Sequence, residues 1–129
     1  MLFLLFILNY SPPPEIRAFD TPSDAGQSIT INWSLSPDDT LLDGYAIYRA
    51  LVEETTFIRV GLVGRGVSRF EDDRVKTGVE YYYRVGAIKD TSIALSTISN
   101  RVRAIPQFFH TGRINVLLAL VVFSSLVIY

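Results

Sequence analysis

Between Pro14 and Ala104 apolar and polar residues alternate in short runs, cut by turn residues every eight to twelve positions or so, a pattern that predicts strands. Ile16 and Ala18 open the series. Ile29, Ile31 and Trp33 then share one face, with Thr30 and Asn32 on the other. Tyr45 and Ile47 alternate with Ala46 and Tyr48, followed by Phe57, Val60 and Val63 and by a short strand around Phe70. The longest run puts Tyr81, Tyr83, Val85 and Ala87 on one side and Tyr82, Arg84 and Gly86 on the other. Val102 and Ala104 close it. Turn residues gather at Asp20 to Gln27, Ser36 to Gly44, Gly64 to Gly66 and Lys89 to Ser92. No helical period competes here and no internal repeat is visible. The expectation is an all-β chain folded as a seven-stranded antiparallel β-sandwich.

The two ends break the alternation. Leu2 to Leu8 is unbroken large apolar sequence, too short to span a bilayer. It reads as a signal-like N-terminus over residues 1–11, although it lacks a basic flank and a small-residue cleavage site. The prolines at 12, 13 and 14 then favour extended backbone. From Ile114 to Tyr129 eleven residues are Ile, Leu, Val or Phe and none is charged, so no polar face exists. Their insertion into lipid is favoured by roughly 3 to 7 kcal/mol. Sixteen helical residues cover only ~24 Å of a ~30 Å hydrocarbon core. The helix therefore starts near Phe108, with His110 and Arg113 reaching the headgroups, or runs on past Tyr129. Residues 107–129 are thus expected to form a membrane-proximal segment and a single C-terminal transmembrane helix, with membrane lipid the partner of Ile114 to Tyr129.

Topology stays open at this level. A signal-like start puts the middle domain outside the cytoplasm, whereas Arg101, Arg103 and Arg113 on its side of the span favour a tail-anchored, cytoplasmic arrangement. A removable anchor signal with its site at Ser99-Asn100 is a third option, disfavoured because that site falls in a structural strand.

Composition adds exclusions. With 12 basic and 13 acidic residues the net charge is −1, and the ten arginines are scattered, so nothing steers the chain toward nucleic acid. No cysteine is present, which removes disulfides, thiolate metal sites and thiol nucleophiles. Mean hydropathy is +0.28, a surplus carried by the two ends.

The run Tyr81-Tyr82-Tyr83, with Gly78 before it, carries the most specific structural information. Tyr81 and Tyr83 point to the core and Tyr82 to the outer face of the same sheet. A tyrosine at the start of a strand that turns its hydroxyl back onto upstream backbone pins the crossing between two sheets. Gly78 lets that backbone bend, and Tyr81 is the ring that reaches back. Around this corner the sequence resembles a fibronectin type III domain of the kind found in prokaryotic surface and membrane-tethered proteins. The resemblance rests on Pro12-Pro13-Pro14, Trp33, the run Asp43-Gly44-Tyr45-Ala46-Ile47-Tyr48-Arg49, Phe70 and Asp72, and on Val75, Gly78, Tyr81, Tyr83 and Val85. Ser96, Ser99, Val102 and Ala104 are similar to the last strand. It covers residues 12–106 and is specific as a set. Val75 stands where the family has leucine and Thr77 where it has proline, both conservative for packing.

Chemistry is sparse. The single histidine, His110, abuts the apolar run and suits the membrane interface better than general-base duty. Gly61 to Gly66 is glycine-rich but lies between strands, where a phosphate loop needs a helix N-terminus. Carboxylates pair at Asp38-Asp39, Glu53-Glu54 and Asp72-Asp73. Asp38, Asp39 and Asp43 could address calcium, but their spacing matches no defined calcium loop and solvated loop charge is the expectation. Asp72 is assigned to the turn toward Val75. The integrin tripeptide that some type III domains carry is missing: the corresponding loop reads Lys89-Asp90-Thr91-Ser92-Ile93, and Arg65-Gly66-Val67 is a different tripeptide elsewhere. Asn9-Tyr10-Ser11 and Asn32-Trp33-Ser34 fit the glycosylation sequon. No catalytic, cofactor-binding or metal-binding residue is assigned, and no small-molecule substrate is evident. Trp33, Tyr45, Ile47, Gly78, Tyr81, Tyr83 and Val85 are expected to build the core. Tyr48, Tyr82, Asp38, Asp39, Lys89 and Asp90 are the candidate surface for an unidentified protein partner. The expected function is a non-catalytic interaction module, with a spacer or accessory domain of a larger membrane protein or enzyme as the alternative.

Overall fold

The computed structural model describes residues 9–22, 24–54 and 56–106. Leu2 to Leu8, Phe108, His110 and Ile114 to Tyr129, and with them the signal-like and transmembrane expectations, lie outside the described residues. Among the described residues no helix is long and apolar enough to cross a membrane.

The alternating runs form strands β1 (Ile16–Asp20), β2 (Ile29–Trp33), β3 (Gly44–Leu51), β4 (Ile58–Gly64), β5 (Arg69–Asp72), β6 (Glu80–Lys89), β7 (Ser92–Leu95) and β8 (Val102–Arg103). All pair antiparallel. β1, β2 and β5 make a three-stranded sheet in the order β1-β2-β5. The second sheet has five strands in the order β4-β3-β6-β7, with β8 also on β6. β7 and β8 therefore share one strand position, so eight strands occupy the seven positions of the sandwich. β7 pairs with Gly86 to Lys89 and β8 with Glu80 and Tyr81, and the backbone between them leaves the ladder. Ser96 and Ser99 bridge the gap. Their N–H groups donate to the carbonyls of Val85 and Tyr83 at 2.9 and 2.8 Å. Their hydroxyl oxygens accept from the N–H groups of those same residues at 3.0 and 2.9 Å. Buried backbone groups need partners, and two serine side chains supply them where the strand bulges away.

The core lies between the inner faces. Ile29, Ile31, Tyr45, Ile47, Tyr83, Val85 and Ala87 are fully buried, and Trp33 and Tyr81 nearly so. Trp33 and Tyr45 meet across the layers with their rings tilted by 55° and centroids 5.8 Å apart. Two details depart from simple alternation. Thr30 is buried although it points away from Ile29 and Ile31, and its hydroxyl pairs with that of Thr21 at 2.9 Å. Phe57 precedes β4 and is half-buried over the outer side of the five-stranded sheet, within a cation–π distance of Arg84 at 5.8 Å. Tyr10, which the sequence assigns to the N-terminal segment, is buried within the core cluster.

Candidate functional site

The turn into β6 shows the corner. The Lys76 N–H donates to the Tyr81 hydroxyl at 3.1 Å, and Gly78, with φ of 81°, donates its own N–H to the Ala104 carbonyl at 2.8 Å. Left-handed backbone carries a steric penalty for any residue with a Cβ, hence glycine.

Asp72 does more than serve that turn. It is buried inside the sandwich, where its Oδ2 accepts from Arg49 Nη1 at 2.9 Å and from the Tyr83 hydroxyl at 2.7 Å. Its Oδ1 takes the Arg74 N–H at 3.2 Å. Arg49 also lies over the Tyr81 ring, 5.1 Å from its centroid. Burial, then the charge of Asp72 and the hydrogen bond to it, push the Tyr83 hydroxyl pKa far up and keep it a neutral donor. Strand registers alone did not disclose this group, because Arg49 and Asp72 belong to different sheets.

At the end of the sandwich where β3 begins, four segments meet. Tyr45 reaches out of the core, donating to Asp39 Oδ1 at 2.7 Å and accepting from the Ser36 N–H at 3.0 Å. Burial first, and then the bond to Asp39, push its pKa up to about 12. Asp39 Oδ1 also takes the Gly66 N–H at 2.9 Å. Asp38 Oδ2 takes the Ser11 N–H at 2.8 Å, and Asp43 Oδ2 takes the Asp90 N–H at 2.7 Å. The carboxylates of Asp38, Asp39 and Asp43 are thus ties between loops, not loose solvated charge. Among the described residues no group of three or more His, Cys, Asp or Glu side chains could hold a metal ion.

The six candidate partner residues fall into two groups. Asp38, Asp39, Lys89 and Asp90 sit at this loop end, Lys89 and Asp90 exposed at the β6–β7 turn. Tyr48 and Tyr82 lie half-buried on the outer face of the five-stranded sheet. On that face Tyr48, Phe57, Arg84, Ile93 and Leu95 line a shallow apolar groove of about 250 Å³. Leu62, 60% exposed, belongs to the same face through its pairing with Ala46. Ile93 and Leu95 went unmarked in sequence because β7 is so short, yet the alternation Ser92-Ile93-Ala94-Leu95 holds the information: Ala94 is buried and its neighbours are exposed. At the opposite end a wider cleft of about 950 Å³ opens between the segment after β3 and the turn before β6, with Arg49, Leu51, Arg74, Lys76, Tyr81 and Arg103 among its lining residues.

Two sheets in this strand order, closed by a tyrosine corner, define the class: the chain has the fibronectin type III fold. A Fn3-like protein from Clostridium thermocellum superposes with a TM-score of 0.62 at 19% identity, over 80% of this chain and 100% of that one. The FN3 domain of human collagen XX does so with a TM-score of 0.56 at 18% identity, over 71% of this chain and 88% of its own. In sequence, the chain is 38% identical over 94 residues to an amylopullulanase from Thermoanaerobacter thermohydrosulfuricus, a match that covers 73% of this chain and 6% of that enzyme. No family model matches.

Proposed function

We propose that this chain is a non-catalytic fibronectin type III module that serves as an accessory domain of a larger enzyme or surface protein. The observation that carries the reading is the amylopullulanase match: 94 residues at 38% identity, the size of one sandwich, inside an enzyme of which they make up 6%. A module of one sandwich's size within so much larger an enzyme acts by positioning. Its loop end is cross-tied by side-chain bonds through Asp38, Asp39 and Asp43, which favours a stiff spacer or docking unit over an adaptable binding loop. Ile114 to Tyr129 supports attachment to lipid, with the module outside the cytoplasm as the first choice and a tail-anchored arrangement as its rival.

The test uses an antibody against residues 9–106 on the soluble and membrane fractions of the source cells. An immunoreactive polypeptide several times larger than 14.5 kDa, accompanied by amylose- or pullulan-hydrolysing activity in the immunoprecipitate, is expected. A single band of the mass of this chain sinks the accessory reading. Turnover of either glucan by the purified chain alone would place catalysis within it.

A further inference from the structure

We propose that the cleft between the segment after β3 and the turn before β6 takes the headgroup of an anionic phospholipid, so that this end of the sandwich rests on a bilayer. The proposal rests on the lipid attachment through Ile114 to Tyr129 already proposed for the chain. Chain direction brings cleft and bilayer together. β3 ends here, where Leu51 pairs with Tyr81, and β8 ends beside it, where Arg103 pairs with Glu80. The chain then passes Pro106, which bridges Ala25 in the β1–β2 turn of the same end. Residues 107–113 are all that separates this exit from the uncharged apolar run. Seven residues span at most about 25 Å, which tethers this end of the sandwich, and not the other, close to the headgroups.

The chemistry of the cleft agrees with this occupant. Its volume of about 950 Å³ admits a headgroup. Its floor is fixed: Arg49 is held by Asp72 at 2.9 Å and lies 5.1 Å from the centroid of the Tyr81 ring, whose hydroxyl accepts the Lys76 N–H. Beside this floor stand three exposed cations, Arg74 and Lys76 on the turn before β6 and Arg103 on β8. Among the described residues none of the three has an ion-pair partner. Three carboxylates share the lining. Glu80 is already paired with Arg101 at 3.5 Å, and Glu53 and Glu54 lie on the far lip, in the segment after β3. The free cations therefore gather on the side from which the chain leaves. Leu51 and Ile58, 36% and 52% exposed, add aliphatic surface to the lining. Cations next to exposed aliphatic side chains suit the boundary between lipid phosphates and acyl chains.

The chain contains no cysteine, so Thr56→Cys in the cleft and Thr91→Cys at the β6–β7 turn of the opposite end each supply one thiol for a fluorophore. The labelled full chain is placed in nanodiscs of phosphatidylcholine, alone or mixed with phosphatidylglycerol, that carry a lipid with a nitroxide quencher on its headgroup. Quenching at Thr56 should rise about threefold from neutral to anionic discs, with Thr91 unchanged. Salt raised to about 0.5 M should abolish the rise, as should Arg74→Gln/Lys76→Gln/Arg103→Gln, whereas Arg74→Lys/Arg103→Lys keeps the charges and should keep it. In chains that co-elute with the discs, no rise, an equal rise at both labels, or a rise that survives the glutamine variant overturns the docking and leaves the lipid attachment standing. A chain that never enters the discs removes the attachment and the docking with it. An equal response of the Thr56 label to free glycerol phosphate in neutral discs marks a soluble phosphate as the ligand and also overturns the proposal.

Discussion

Asp72 is where a single residue weighs most. A buried carboxylate is tolerated because Arg49, the Tyr83 hydroxyl and the Arg74 N–H satisfy it together. Asp72→Asn leaves the guanidinium of Arg49, whose side chain is 16% exposed, without its counter-charge. We expect a loss of about 3 kcal/mol in urea unfolding. Tyr83→Phe should cost less, about 1–2 kcal/mol, since Asp72 keeps its other two partners. Tyr45 gives a pH signature. Its pKa, pushed up to about 12 by burial and by Asp39, exceeds the unfolded value near 10, so the folded state holds the proton more tightly. Its contribution is whole below pH 10 and is lost as pH rises from 10 to about 12, at up to ~1.4 kcal/mol per pH unit. The rise at Tyr83 has the same sign and adds to the fall. Urea midpoints taken from pH 8 to 12 should decline more gently above pH 10 in Tyr45→Phe than in the parent chain.

Among the elements, β6 could be read from sequence nearly whole. Its period-two pattern sets Tyr81 and Tyr83 inward and Tyr82 half out, and Gly78 marks the corner, because both features are local. The strand opposite could not. Ser96 and Ser99 resemble the family's last strand in sequence, but only the bulge between β7 and β8 turns their hydroxyls into acceptors for Val85 and Tyr83. Ser96→Ala or Ser99→Ala should each cost about 1–3 kcal/mol by leaving a buried N–H unpaired. Amide exchange at Val85 or Tyr83 respectively should quicken, which a generic packing loss would not single out. Gly78→Ala separates conformation from packing. An added Cβ there meets no atom within 4 Å, so the cost should be the left-handed penalty alone, about 1–2 kcal/mol, with the Lys76–Tyr81 bond intact.

At the scale of the whole molecule, the two sheets are joined by an apolar core and, among the described residues, by an ion pair that crosses it, Arg49 on β3 to Asp72 on β5. If that pair acts as a unit, Arg49→Met combined with Asp72→Asn should be less destabilising than the sum of the two single changes, with a coupling of about 0.5–3 kcal/mol. A double-mutant cycle by urea unfolding measures it, and additive losses would show that each side chain acts alone. The sandwich class, the approximate strand positions and the tyrosine corner were determined by the sequence itself, because alternation and turn chemistry act between residues close in the chain. What only the tertiary structure decided is where distant polar groups meet: Arg49 with Asp72, Tyr10 with Ser92, and Asp39 with Gly66. Those pairings depend on how two sheets and their loops are stacked in space, and residues at such separations leave no periodic trace along the chain.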